Sequence, residues 1–81
     1  MRIIDTDRKQ SVRGVDLYLT AREARTLCEQ LEQLLAAPEA NEHFHVNSDD
    51  CSREVSCSIV TPRKLAEGSY TALERRVFNE K

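Results

Sequence analysis

The stretch "NEHFHVNSDDC", residues 41 to 51, holds His43 and His45 one residue apart, then Asp49, Asp50 and Cys51. No other part of the chain groups side chains of this kind. Two imidazoles on one strand face point the same way about 6 to 7 Å apart, a spacing that can begin a zinc site. A structural zinc site needs four ligands and a catalytic one usually three plus water, so Cys51 or the aspartates would have to complete it. A small metal-binding or redox protein using His43, His45 and Cys51 is therefore one reading. The other is a strand that alternates, with Phe44 and Val46 facing a core, His43, His45 and Asn47 facing outward, and "NSDDCSR" closing a turn through residues that bond their own backbone. The alternation favours the second, and with it no metal and no cofactor are expected.

Other chemistry is thinly represented. No GxSxG elbow is present, and two glycines in total build no phosphate-cradling loop. Cys28 falls on an apolar helix stripe and Cys57 on the inward register of a strand, so both read as small core residues whose thiolates burial suppresses. Cys51, in a turn, reads as the accessible thiol. Three cysteines without a CxxC give no complete disulfide framework and fit a reducing compartment. No catalytic residue is assigned, and the chain is expected not to be an enzyme.

The elements that position these residues follow from periodicity. In "LTAREARTLCEQLEQLLAAP" the residues Ala24, Leu27, Cys28, Leu31, Leu34 and Leu35 form one helical stripe. Thr20 and Glu23 make a capping box, with Leu19 and Ala24 as a hydrophobic staple, and Pro38 stops the helix near Ala36. Before it, "VDLYL" alternates Val15, Leu17 and Leu19 against Asp16 and Tyr18, a strand pattern. "MRII" is a shorter candidate strand, and "DTDRKQSVRG" reads as the connection, with Gly14 free for a positive φ. After the helix, Phe44 and Val46 lie inward in one strand, and Val55, Cys57 and Ile59 lie inward in the next. Pro62 ends that strand, "RKLAEG" reads as a loop, and Ser69 caps a short helix carrying Tyr70, Leu73, Val77 and Phe78.

The order β-β-α-β-β-α predicts a single α+β domain over 1–81, a two-layer sandwich with an antiparallel or mixed sheet packed on the long helix. The open sheet face would carry Asp16, Tyr18, His43, His45, Ser56 and Ser58. At 81 residues, with 40% apolar and 32% charged side chains, order is expected nearly throughout, although a chain this short buries only about 60–65% of its unfolded surface. The formal charge of -2 and pI of about 5.6 give no general attraction to nucleic acid. With no long apolar run and no leader pattern, no membrane partner is expected and a cytoplasmic location is. A contact face of Tyr18, His43, His45, Ser56 and Ser58 remains, suited to another protein or to a second copy in a homodimer.

The runs "DLYLTAREARTLCEQLEQLL" and "NEHFHVNSDDCSREVSCSI" resemble a type of short bacterial protein. In that type an "LYLT-EEA" strand-to-helix start leads to an "H-HV" strand and then an "EI-V-I" strand. Some proteins of this look are grouped with polymorphic-toxin immunity proteins, which bind and block a partner toxin. The likeness spans roughly residues 15 to 60 and departs from the pattern at Ala21-Arg22-Glu23 and at Val55. It implies a bacterial cytoplasmic binder and carries over no catalytic residue.

Overall fold

A computed structural model describes residues 1–80. The elements run β1 (Ile3–Asp5), β2 (Gln10–Val12), α1 (Ala21–Ala36), β3 (Phe44–Asn47), β4 (Glu54–Cys57), α2 (Pro62–Glu67) and α3 (Ala72–Phe78). The α+β class and the expected order hold, with one helix more. Contacts gather into two compact units, one of Met1–Leu17 with the segment from Gly68 onward and one of Tyr18–Glu67. The four strands make two separate two-stranded antiparallel sheets rather than one.

In the first unit, β1 pairs with β2 in the register Ile3 to Val12, Ile4 to Ser11 and Asp5 to Gln10. The hairpin is closed locally. Asp5 Oδ1 accepts from the backbone N–H of Asp7 and Arg8 at 3.0 and 3.1 Å, and Lys9 takes the positive φ of 56°. The strand expected over Val15–Leu19 does not form. A strand needs a ladder partner, and β1 has taken the neighbouring Gln10–Val12, whose short loop costs little closure entropy. Gly14 accordingly takes no positive φ. Helix α3 packs on β2, and Arg2 Nε donates to the Val77 carbonyl at 3.0 Å. Its cap is Thr71 rather than Ser69, with a full Thr71–Glu74 capping box. Tyr70 lies before the helix and meets Phe78 edge-on, ring centroids 4.9 Å apart.

In the second unit, α1 begins and ends where its capping box and Pro38 place it, and Thr20 and Glu23 make both reciprocal bonds. Asn41 Nδ2 donates to the Gln33 carbonyl at 3.0 Å, satisfying one acceptor at the open C-terminal end. The core is Leu34 from α1 with Phe44 and Val46 from β3, flanked by Leu27, Val55, Cys57 and Ile59. Cys28 departs from its expected place and is exposed. One short strand pair is too narrow to cover the whole stripe, so only the Leu27–Leu34 side of α1 meets it.

The segment after β4 also corrects an expectation. The strand ends at Cys57, five residues before Pro62, and Pro62 instead opens helix α2, because its fixed φ and missing N–H suit the first helical position. Thr61 caps it, accepting from the Lys64 N–H at 3.2 Å. Lys64 Nζ bonds the Asn41 and Ile59 carbonyls at 2.7 and 3.0 Å, and Arg63 Nε bonds Glu39 Oε2 at 2.9 Å. These bonds fasten α2 to the chain on both sides of the β3–β4 hairpin.

Candidate functional site

The β3–β4 hairpin presents the only expected contact residues that share a surface. Its register sets Phe44 against Cys57, His45 against Ser56, Val46 against Val55 and Asn47 against Glu54. The two-residue period then turns Phe44 and Val46 into the core and leaves His45 and Ser56 exposed on the other face. His43, just before β3, sits edge-on to His45 with ring centroids 4.8 Å apart.

Glu54 orders this pair. Its Oε1 lies 3.0 Å from His45 Nδ1. An ionised carboxylate only accepts, so Nδ1 is the donor in this contact. The face therefore offers an imidazole oriented by Glu54, the opposed Ser56 hydroxyl and the His43 ring. Ser58 follows β4 and is exposed as well. Tyr18 is 92% exposed, yet neither it nor Asp16 lies on a strand, so they do not join the face as sheet residues.

Asp49, Asp50 and Cys51 are occupied with the turn. Asp50 Oδ1 accepts from Ser48 Oγ at 2.7 Å, Ser52 N–H at 3.0 Å and Ser52 Oγ at 2.7 Å. The two serine hydroxyls and the Ser52 amide hold its carboxyl well below the usual range. Cys51 supplies the second positive φ, 61°. Among the described residues no three His, Cys, Asp or Glu side chains converge as a metal site would require. Cys57 packs against the core, where burial pushes its thiol up and away from thiolate chemistry.

The turn is also tied to the start of α1, which the sequence did not announce. Glu23 Oε1 accepts from Thr20 N–H at 2.8 Å and Oε2 from Asp49 N–H at 2.8 Å, while Thr20 Oγ1 donates to Asp49 Oδ2 at 3.0 Å. The Thr20 and Asp49 amides lower the Glu23 pKa from its ordinary 4.5. Both carboxyls thus have folded values below their unfolded ones. The stability they contribute is complete above the unfolded values of 4.5 and 3.8 and is lost as pH falls through the folded ones. The urea midpoint is expected to drop progressively on acidification below pH 4.5. In Glu23→Gln/Asp50→Asn it should start lower at pH 7 and show a shallower acid slope. An acid slope equal to that of the parent would show that these two carboxylates do not carry it.

No helix among the described residues is long and apolar enough to cross a membrane. Compared with protein families, curated proteins and solved structures, the chain matches none.

Proposed function

We propose that this chain is a non-enzymatic interaction protein of the inhibitor or immunity-like kind, acting in a bacterial cytoplasm by binding another protein through the open face of β3–β4. The observation that carries this reading is the ordered outer face of the hairpin, where Glu54 holds His45, His43 meets it edge-on and Ser56 stands opposite. A side-chain array fixed before binding loses little entropy on contact, which favours affinity without a deep pocket. Each strand of the pair also has one edge without a ladder partner, and a second chain can add to such an edge. Tyr18, flanking the capped start of α1, adds a large exposed anchor of the type that dominates protein interfaces.

Native mass spectrometry of the protein isolated from its own cells tests the reading. The parent chain is expected to carry a second protein that is absent from the His45→Ala and Tyr18→Ala variants, which should keep their unfolding free energies within about 1 kcal/mol of the parent. Retention of the partner mass by both variants, or a parent chain that never carries one, overturns it.

A further inference from the structure

Helix α1 leaves four of the six residues of its apolar stripe uncovered. Leu34 is buried and Leu27 packs against the same core, but Leu31 and Leu35 are 41% and 71% exposed, and Ala24 and Cys28 are exposed beside them. With Leu19 these residues line one shallow groove whose sole charged member is Glu32. Ala24, Cys28, Leu31 and Leu35 fall at i, i+4, i+7 and i+11, a straight line along the helix.

We propose that this line is a self-association surface. Two copies pack α1 against α1 in antiparallel fashion about a two-fold axis level with Cys28 and Glu29. The argument for a second copy as occupant is charge complementarity. Arg25 and Glu32 stand two turns apart, about 10.5 Å, on the same flank of the exposed line. Neither is held in an ion pair among the described residues of its own chain. In an antiparallel two-fold pair the same flank meets itself with direction reversed, so Arg25 of each copy faces Glu32 of the other and both charges are answered. A parallel two-fold pair would instead set this flank against the opposite one, the Leu27–Leu34 side that packs on β3, and leave both charges unanswered. The same register drops the small Ala24 between Leu31 and Leu35 of the other copy and brings the two Cys28 side chains together at the axis. Small residues thus meet large ones, as knobs meet holes.

This surface lies on α1 rather than on the outer face of β3–β4, so the inference goes beyond the proposed function and can fail separately from it. One four-turn helix buries less than a standard interface, so dissociation in the micromolar range is expected. Sedimentation equilibrium across protein concentrations reads it. The parent is expected to be a monomer–dimer mixture, and Leu35→Glu to weaken the dimer by about tenfold or more, since the lost burial of one leucine suffices for that factor. Leu35 is mostly exposed, so the fold should tolerate the change. Arg25→Glu and Glu32→Arg are each expected to weaken self-association, while an equimolar mixture of the two restores it, because the mixed dimer regains both opposite-charge pairs. His45→Ala should leave the dimer intact. A parent that stays monomeric at every concentration overturns the proposal, whether the stripe is then covered by another protein or left bare. So does a dimer indifferent to Leu35→Glu, or a mixture of the charge variants that associates no better than each alone.

Discussion

Phe44→Ala is expected to cost about 3–5 kcal/mol, enough to leave the Tyr18–Glu67 unit largely unfolded at room temperature. Phe44 is 7% exposed between Leu34 at 3% and Val46 at 5%, and these three are the buried centre of the unit. The loss combines the forfeited burial of a phenyl ring with a cavity that one helix and two short strands collapse poorly to fill. A core this small supplies only about 3–5 kcal/mol of net stability, so the two quantities are of similar size. Urea unfolding followed by circular dichroism, with hydrogen exchange over Ala21–Ala36 and Phe44–Cys57, reads the effect. Phe44→Leu should retain much of the stability because most of the volume remains. An alanine variant within about 1 kcal/mol of the parent would mean that the core lies elsewhere.

Where the sequence spoke through local chemistry, it was legible. Thr20, Glu23 and Pro38 fix both ends of α1 because caps and proline act within one turn and need no tertiary partner. The β3–β4 hairpin was readable for the same reason. Its alternation and its Asx-rich turn lie within fourteen residues, so His45 and Ser56 emerge on the outward face as expected. The failures are those in which alternation had to decide between partners. Val15, Leu17 and Leu19 have the strand period, but a period states which face is apolar and not whether a ladder is available. The pairing went to Ser11 and its neighbours in the polar stretch. Cys28 and Leu35 belong to a true helical stripe, yet how much of a stripe is covered depends on the width of the opposing sheet. That width changed once the four strands paired as two hairpins.

Two further helix starts are written in the sequence. Thr71-Ala72-Leu73-Glu74 is a capping box that outranks Ser69 as a helix start, and Thr61-Pro62 is a cap followed by the residue best suited to a first helical position. Proline both ends one element and starts the next. The link from Glu23 to Asp49 was not legible, because the partners are 26 residues apart and each already had a local role. That link anchors the start of α1, and with it Tyr18 two residues earlier, to the end of the hairpin that carries His45. Local capping chemistry therefore also sets part of the geometry of the proposed contact surface.

Val77→Asp is expected to destabilise the unit formed by the N-terminal hairpin and α3 by about 3–6 kcal/mol. Val77 is the one fully buried side chain among the described residues, at 0% exposure, on the short helix that packs against β2. Losing its burial costs about 1.5–3 kcal/mol, and a carboxyl placed there without a partner adds a desolvation penalty that an apolar site does not return. Val77→Ala separates these contributions, since it removes apolar contact without adding charge. Hydrogen exchange over Ile3–Val12 and Ala72–Phe78 is the readout, with protection reduced in the alanine variant and lost in the aspartate one. The acid dependence gives a second check. Burial raises the introduced carboxyl's folded pKa above its unfolded value, so its penalty is full above the folded pKa and shrinks as pH falls toward the unfolded one. The gap between the two variants should therefore narrow on acidification. A gap that stays constant from pH 7 to pH 4 would mean that the introduced group reaches water, and that α3 can shift to expose position 77.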